Sequence, residues 1–235
     1  MLRHNRFGAI IIAMAFSLPG IAEEYSVPNI VGTAYDRNSG NFLYTERHFC
    51  SADSLSCKVE YRDSFGAMIA EKKLDYSLSL IGPALVINDY RQALELSVPA
   101  SEHEDMVIDA GFDNFVRSRW DELISGNDVQ FPFLVVGFDK PLNMRAIREK
   151  SADCNDDKVC LSIGLNSWLL GMLVDPIELS YSRESRKLLW FSGISNIKGE
   201  SGETLSVNIH YQYENENDIL LVGPLDYQSP KELNF

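Results

Sequence analysis

The residues of this sequence best equipped for chemistry are four cysteines, Cys50, Cys57, Cys154 and Cys160, and four histidines, His4, His48, His103 and His210. A serine or cysteine nucleophile needs a base within hydrogen-bond reach, and a G-x-S-x-G elbow is the common sign of one. The nearest approach, Gly193-Ile194-Ser195-Asn196-Ile197, lacks the second glycine. His210 falls on the polar face of an alternating run, and His48 reads the same way. His103 sits in the acidic stretch Glu102-His103-Glu104-Asp105. No P-loop and no G-x-G-x-x-G occurs. Asp153, Asp156 and Asp157 miss the EF-hand spacing. Carboxylates are numerous, but linear spacing assigns no acid–base pair among them. These patterns predict no catalytic residue, no metal site and no cofactor.

The cysteines carry more information. Zinc motifs space them as C-x(2–4)-C and catalytic dithiols as C-x-x-C. Here Cys50 and Cys57 enclose 51–56, and Cys154 and Cys160 enclose 155–159. Four cysteines allow three pairings. The strand-like runs 43–49 and 58–62 flank a hairpin loop, which brings Cys50 and Cys57 within disulfide reach. The two local bridges, Cys50–Cys57 and Cys154–Cys160, are therefore expected, each contributing about 2–3 kcal/mol by restricting the unfolded chain.

Disulfides belong to oxidising compartments, and the first residues give the matching address. Arg3, His4 and Arg6 precede an apolar run over 7–18, then Pro19-Gly20, with small residues Gly20 and Ala22 before Glu23. This is the three-part pattern of a secretory signal. It predicts a leader over 1–22, removed near Ala22, and one exported domain over 23–235. The apolar run is shorter than the roughly 20 residues of a membrane span, and no later segment is long enough, so no span is expected in the mature chain. No Asn-x-Ser/Thr acceptor occurs, which suits a bacterial periplasm. Acidic residues number 34 against 21 basic, a net charge of −13. That balance repels nucleic acid and anionic membrane surfaces.

The elements that must position any site are mostly strands. Strand-like runs that alternate with turn residues predict strands over 29–36, 42–49, 58–62, 68–76, 84–89 and 93–98. Further strands are predicted over 129–138, 142–148, 159–165, 177–181, 187–191 and 205–213. In the last, Leu205, Val207, Ile209, Tyr211 and Tyr213 alternate with polar residues. One helix is predicted over 107–125, with Ile108, Phe112, Phe115, Trp120 and Leu123 at steps of three to five. The fold class is mainly β (α+β): a curved, unclosed antiparallel β-sheet or half-barrel wrapping one main helix. A sheet curled over a helix leaves an apolar space between them. Phe112, Phe115, Trp120, Trp168, Leu169, Met172 and Trp190 are the candidate lining of such a cavity. The apolar segment 166–176 reads as a short buried helix or a flap. The expected function is a non-enzymatic periplasmic binding or carrier protein for a hydrophobic small molecule or lipid-like ligand. The alternative is an interaction or assembly protein that meets an envelope protein through its sheet edges or through 166–176. A hydrolase with an unrecognised site stands third.

Two stretches resemble uncharacterised exported bacterial proteins. One is Phe42-Leu43-Tyr44-Thr45-Glu46-Arg47-His48, followed by 59–66 and 69–76. The other is Glu178-Leu179-Ser180-Tyr181, followed by 186–197 and 205–213. The strand order also resembles the LolA-like lipoprotein-carrier fold, an unclosed antiparallel barrel wrapped over helices. The resemblance implies a concave apolar face that accepts lipid-like groups. It transfers no functional residue one by one. The paired cysteines and the acidic surface depart from the carriers.

Overall fold

The computed structural model describes residues 27–150, 154, 156–167 and 175–213. The expected leader, and Trp168, Leu169 and Met172 of the apolar segment, lie outside the described residues. Six strands lead: β1 (Ile30–Asp36), β2 (Phe42–Cys50), β3 (Ser56–Arg62), β4 (Met68–Asp75), β5 (Ala84–Asp89) and β6 (Leu94–Val98). A two-residue strand, β7 (Val107–Ile108), enters α1 (Gly111–Ser118) and α2 (Trp120–Ile124). Then come β8 (Val129–Leu134), β9 (Leu142–Glu149), β10 (Lys158–Leu165), β11 (Ile177–Ser182), β12 (Leu188–Lys198) and β13 (Thr204–Tyr213).

Among the described residues, all 13 strands join one unclosed sheet in the order β6-β5-β4-β3-β2-β1-β13-β12-β11-β10-β9-β8-β7. The joint between the two runs is β1 with β13, where Ile30 faces Tyr213 and Asp36 faces Val207. The first and last described strands therefore lie in the middle of the sheet, and its edges are the internal strands β6 and β7. Hairpin turns follow local chemistry. Asp63 Oδ1 accepts hydrogen bonds from the N–H groups of Phe65 and Ala67, and Gly66 takes φ +80°, which suits glycine. The alternation read in β13 is present: Leu205, Val207 and Ile209 are buried and His210 is exposed.

The expected single helix over 107–125 is corrected in two places. Val107 and Ile108 pair with Phe133 and Leu134 as a parallel strand, in keeping with the strand preference of β-branched side chains. Asp109 then turns the chain with φ +42°, and the helix starts at Gly111. The helix breaks at Arg119, φ −105° and ψ 18°, and restarts as α2 with Asp121 and Glu122 in its first turn, where the helix dipole favours acids. Ile108 lies four residues before Phe112, so its spacing mimicked a helical face. The strand expected over 187–191 is also longer, continuing through Gly193. A Cβ there would stand 3.0 Å from Phe191 Cζ and 3.2 Å from Ile177 Cγ1, so the missing side chain lets these residues pack.

Two apolar clusters hold the sheet. The first gathers Tyr44, Val59, Leu85, Ile87, Val207 and Ile209 from the β1–β6 half and β13. The second sets Phe115, Trp120 and Leu123 of the helices against Phe131, Leu161 and Tyr181. β7 sits at their meeting point, with Val107 in the second cluster and Ile108 in the first.

Both expected disulfides are formed, Cys50–Cys57 with a Cα separation of 4.1 Å and Cys154–Cys160 with 5.6 Å. Cys50 faces Cys57 in the β2–β3 register. The next pair out, Ser51 and Ser56, is backbone hydrogen-bonded, so the cysteines occupy the closer, non-bonded kind of pair. No cysteine is free, which removes thiolate donors from any metal reading. Two disulfides mark a chain that folds in an oxidising compartment.

Candidate functional site

An unclosed sheet ends in two rows of backbone groups that need partners. The row on β6 can be read from the ladders. The Tyr76 N–H bonds the Leu55 carbonyl, and the Tyr90 N–H bonds the Ile69 carbonyl. Carried across the β3–β4, β4–β5 and β5–β6 registers, this alternation turns the N–H and C=O of Leu94, Leu96 and Val98 toward β5. Those of Glu95 and Ser97 point outward. Among the described residues, no backbone hydrogen bond outside the ladders involves 94–98. Pro99, without an N–H, ends the row.

The side chains around this row have a consistent chemistry. Leu94, Leu96 and Val98 stand opposite Asp89, Ile87 and Leu85, and Leu94 is 42% exposed. Gly137 comes close enough that a Cβ there would lie 3.8 Å from Leu96 Cδ1, and the next residue, Phe138, is 58% exposed. Leu94 and Leu96 thus form an apolar shelf beside the open row, and the exposed Phe138 follows the glycine that approaches Leu96. Glu95 is exposed on the strand itself, and Glu102, Glu104 and Asp105 are exposed in the loop that follows.

The tip of the β5–β6 hairpin is pinned, although its flank is not. Asp89 Oδ1 accepts from the Arg91 and Gln92 N–H groups at 3.1 and 3.2 Å. The Arg91 guanidinium donates to the Lys198 carbonyl and Gln92 Nε2 to the Gly199 carbonyl, both in the β12–β13 turn region. The strand is held in place with its outer side open.

The other edge is closed. β7 pairs only with Phe133 and Leu134 of β8, and Pro132 occupies β8 just beyond that pairing, an edge position that proline tolerates. The Ile108 N–H is taken by the Ile81 carbonyl at 2.9 Å. Asn114 Nδ2 donates to the Leu80 carbonyl at 2.8 Å. A Cβ on Gly111 would stand 2.1 Å from the Ile81 carbonyl oxygen, so α1 lies directly on that segment.

A buried ion pair locks this corner. Lys72 Nζ reaches Asp109 Oδ2 at 2.7 Å, with side-chain exposures of 9% and 6%, and Asn196 Nδ2 donates to Asp109 Oδ1. Burial alone would lower the Lys72 pKa, but the Asp109 carboxylate outweighs it and raises the value above that of an ordinary lysine. The amine is therefore protonated at neutral pH and has no lone pair to offer as nucleophile or base. Nearby, Tyr44 Oη and Ser195 Oγ share a buried hydrogen bond of 2.7 Å, and the Tyr211 hydroxyl donates to Glu46 at 3.1 Å. Burial, reinforced by the Glu46 carboxylate, pushes both tyrosines well above their ordinary range. These contacts join the two halves of the sheet.

No protein-family model matches the chain, and no curated protein is found similar to it.

The rings expected to line a cavity fall into three groups. Phe112, Phe115 and Trp120 are brought together, packed against the sheet. Phe115 lies 4.4 Å and Phe112 5.5 Å from Phe131, ring centre to ring centre. Trp120 meets Tyr181 edge-on at 5.9 Å, with the Arg186 guanidinium 5.5 Å from its ring. Phe115 and Trp120 are buried core. Trp190 is not with them. It faces His210 and Ser180 across its neighbouring strands, while Phe191 joins the clusters, so strand alternation puts Trp190 on the opposite face. Trp168, Leu169 and Met172 lie outside the described residues. An open cleft of about 530 Å³ near the end of β13, lined by Lys158, Ser182, Lys187 and Tyr213, includes none of Phe112, Phe115, Trp120 and Trp190.

The residues of the open edge, Leu94, Glu95 and Ser97, escaped the sequence reading as a site. The strand over 93–98 was legible, but nothing local marks it as an edge. The only usable signal was its termination by Pro99.

Proposed function

We propose that this protein is a non-enzymatic, exported binding protein of the periplasm that receives an extended segment of an envelope partner along β6. The observation that carries this reading is the outward row of Glu95 and Ser97 backbone groups on a strand fixed at its tip and open along its flank. Strand addition supplies main-chain hydrogen bonds from such a row and takes specificity from alternate side chains. The closed β7 edge argues for selection: one edge is blunted by several devices and the other by a single charge. The unclosed sheet also suits what the lipoprotein-carrier resemblance implies for the fold.

A photoreactive residue placed at Glu95, with a second at Gln130 of β8 as control, tests the reading in envelope extract. Adducts confined to position 95 and mapping to one extended peptide are expected. Equal adducts at both positions, or none at 95, would remove the proposal.

A lipid-like ligand is the other reading. Its support is compositional, the apolar run from Trp168 to Val174. Native mass spectrometry of gently purified protein decides it: a bound lipid mass favours the carrier, and a bare polypeptide mass removes it.

A further inference from the structure

We infer that the segment received at β6 is basic and apolar in alternation, so that the partner presents a cationic amphipathic strand. The inference rests on the edge reading above and adds the chemistry of the occupant. A strand laid against Glu95 and Ser97 takes its register from their N–H and C=O groups. Its side chains then alternate between two environments. On one side is the shelf of Leu94 and Leu96, with Leu94 at 42% exposure. On the other is Glu95, whose cross-strand neighbour Asn88 is uncharged. Opposite charges on facing strand positions attract and like charges repel. The exposed Glu102, Glu104 and Asp105 extend the same sign past the end of β6.

A second copy of this chain is a poorer occupant. Each molecule carries a net charge of −13, and each copy would bring its own Glu95 and acidic loop to the contact. An acidic strand meets the same repulsion. A basic, alternating segment satisfies the backbone row, the shelf and the charge together.

The experiment uses the full exported chain and four short synthetic peptides. One alternates Lys and Val, one alternates Glu and Val, and one is the Lys–Val peptide with alternate amides N-methylated. The fourth is a scrambled Lys–Val peptide. Affinity is read by fluorescence anisotropy and the footprint by amide exchange at Glu95 and Ser97. The Lys–Val peptide is expected to bind about tenfold or more tighter than Glu–Val, a margin of about 1.4 kcal/mol. It should protect both amides and weaken with salt. N-methylation, which blocks strand pairing without touching the protein, should abolish binding. The Glu95→Lys variant should reverse the preference.

Equal affinity for the Lys–Val and Glu–Val peptides, with both amides protected, would overturn the charge assignment and leave the edge reading standing. Absence of protection at Glu95 and Ser97 with every peptide would overturn both. Binding that survives N-methylation or scrambling would identify plain charge attraction and overturn the strand assignment. Protection of the two amides that rises with protein concentration alone would give the edge to a second copy and overturn the inference.

Discussion

The two edges of the sheet solve the same problem in opposite ways. At β7 the strand is two residues long, Pro132 precedes its partners on β8, α1 packs on the segment around Ile81, and the Ile108 N–H is bonded to the Ile81 carbonyl. At β6 the outward groups of Glu95 and Ser97 have no backbone partner among the described residues, and Glu95 is the charge on the strand. Exposed edges invite pairing with other chains. A molecule that closes one edge so thoroughly and leaves the other open has a directional surface. The two ends of the sheet thus differ in kind, with backbone groups engaged at β7 and outward groups without a backbone partner among the described residues at β6.

That separation is breakable by substitution. The largest effect should come from the closed edge. Lys72→Met strands the buried Asp109 carboxylate and should cost about 3–5 kcal/mol in urea unfolding; a loss below about 1 kcal/mol would deny the corner its anchoring role. The same pair sets an alkaline limit. Because Lys72 has a raised folded pKa, its stabilisation is full below the ordinary lysine value and is lost as pH rises through the folded value. Stability that drops instead between pH 7 and 9 would need another cause.

Next in size is the joint Cys50→Ser, Cys57→Ser change, which should cost about 2–3 kcal/mol on the chain-entropy account, checked by thermal unfolding. Gly111→Ala comes third. Its methyl would be driven into the Ile81 backbone, and overpacking of this kind costs about 1–3 kcal/mol. The smallest stability effect belongs to the open edge. Ser97→Pro removes an N–H that faces away from β5, so the ladder keeps its bonds and stability should move by less than about 1 kcal/mol. Strand addition should nevertheless be lost. A large destabilisation by Ser97→Pro, as great as that of Lys72→Met, would erase the contrast between the edges.

Much of the fold was legible in the residues. The strand over 205–213 declared itself by alternation, 84–89 by a strand-like run between turn residues, and the cysteine spacing gave both bridges because hairpin geometry is local. The helix was half legible. Phe112, Phe115 and Trp120 do face the core, but Val107 and Ile108 obeyed strand pairing that depends on a partner, Phe133 and Leu134, far along the chain. Trp190 shows the same limit, since its bulk suggested a shared lining while its face depends on register with His210. The candidate site was the least legible part. Glu95 and Ser97 are ordinary residues, and only the sheet order turns their backbone groups into a feature.

Residue-resolved amide exchange on the free protein decides whether the β6 edge is open. Leu96, bonded to β5, and Ile108, bonded to Ile81, should exchange slowly, while Glu95 and Ser97 exchange rapidly at the same temperature and pH. Slow exchange at Glu95 and Ser97 in the isolated monomer would mean that the β6 edge already has a partner within the chain, and the account of an open receiving strand would fail.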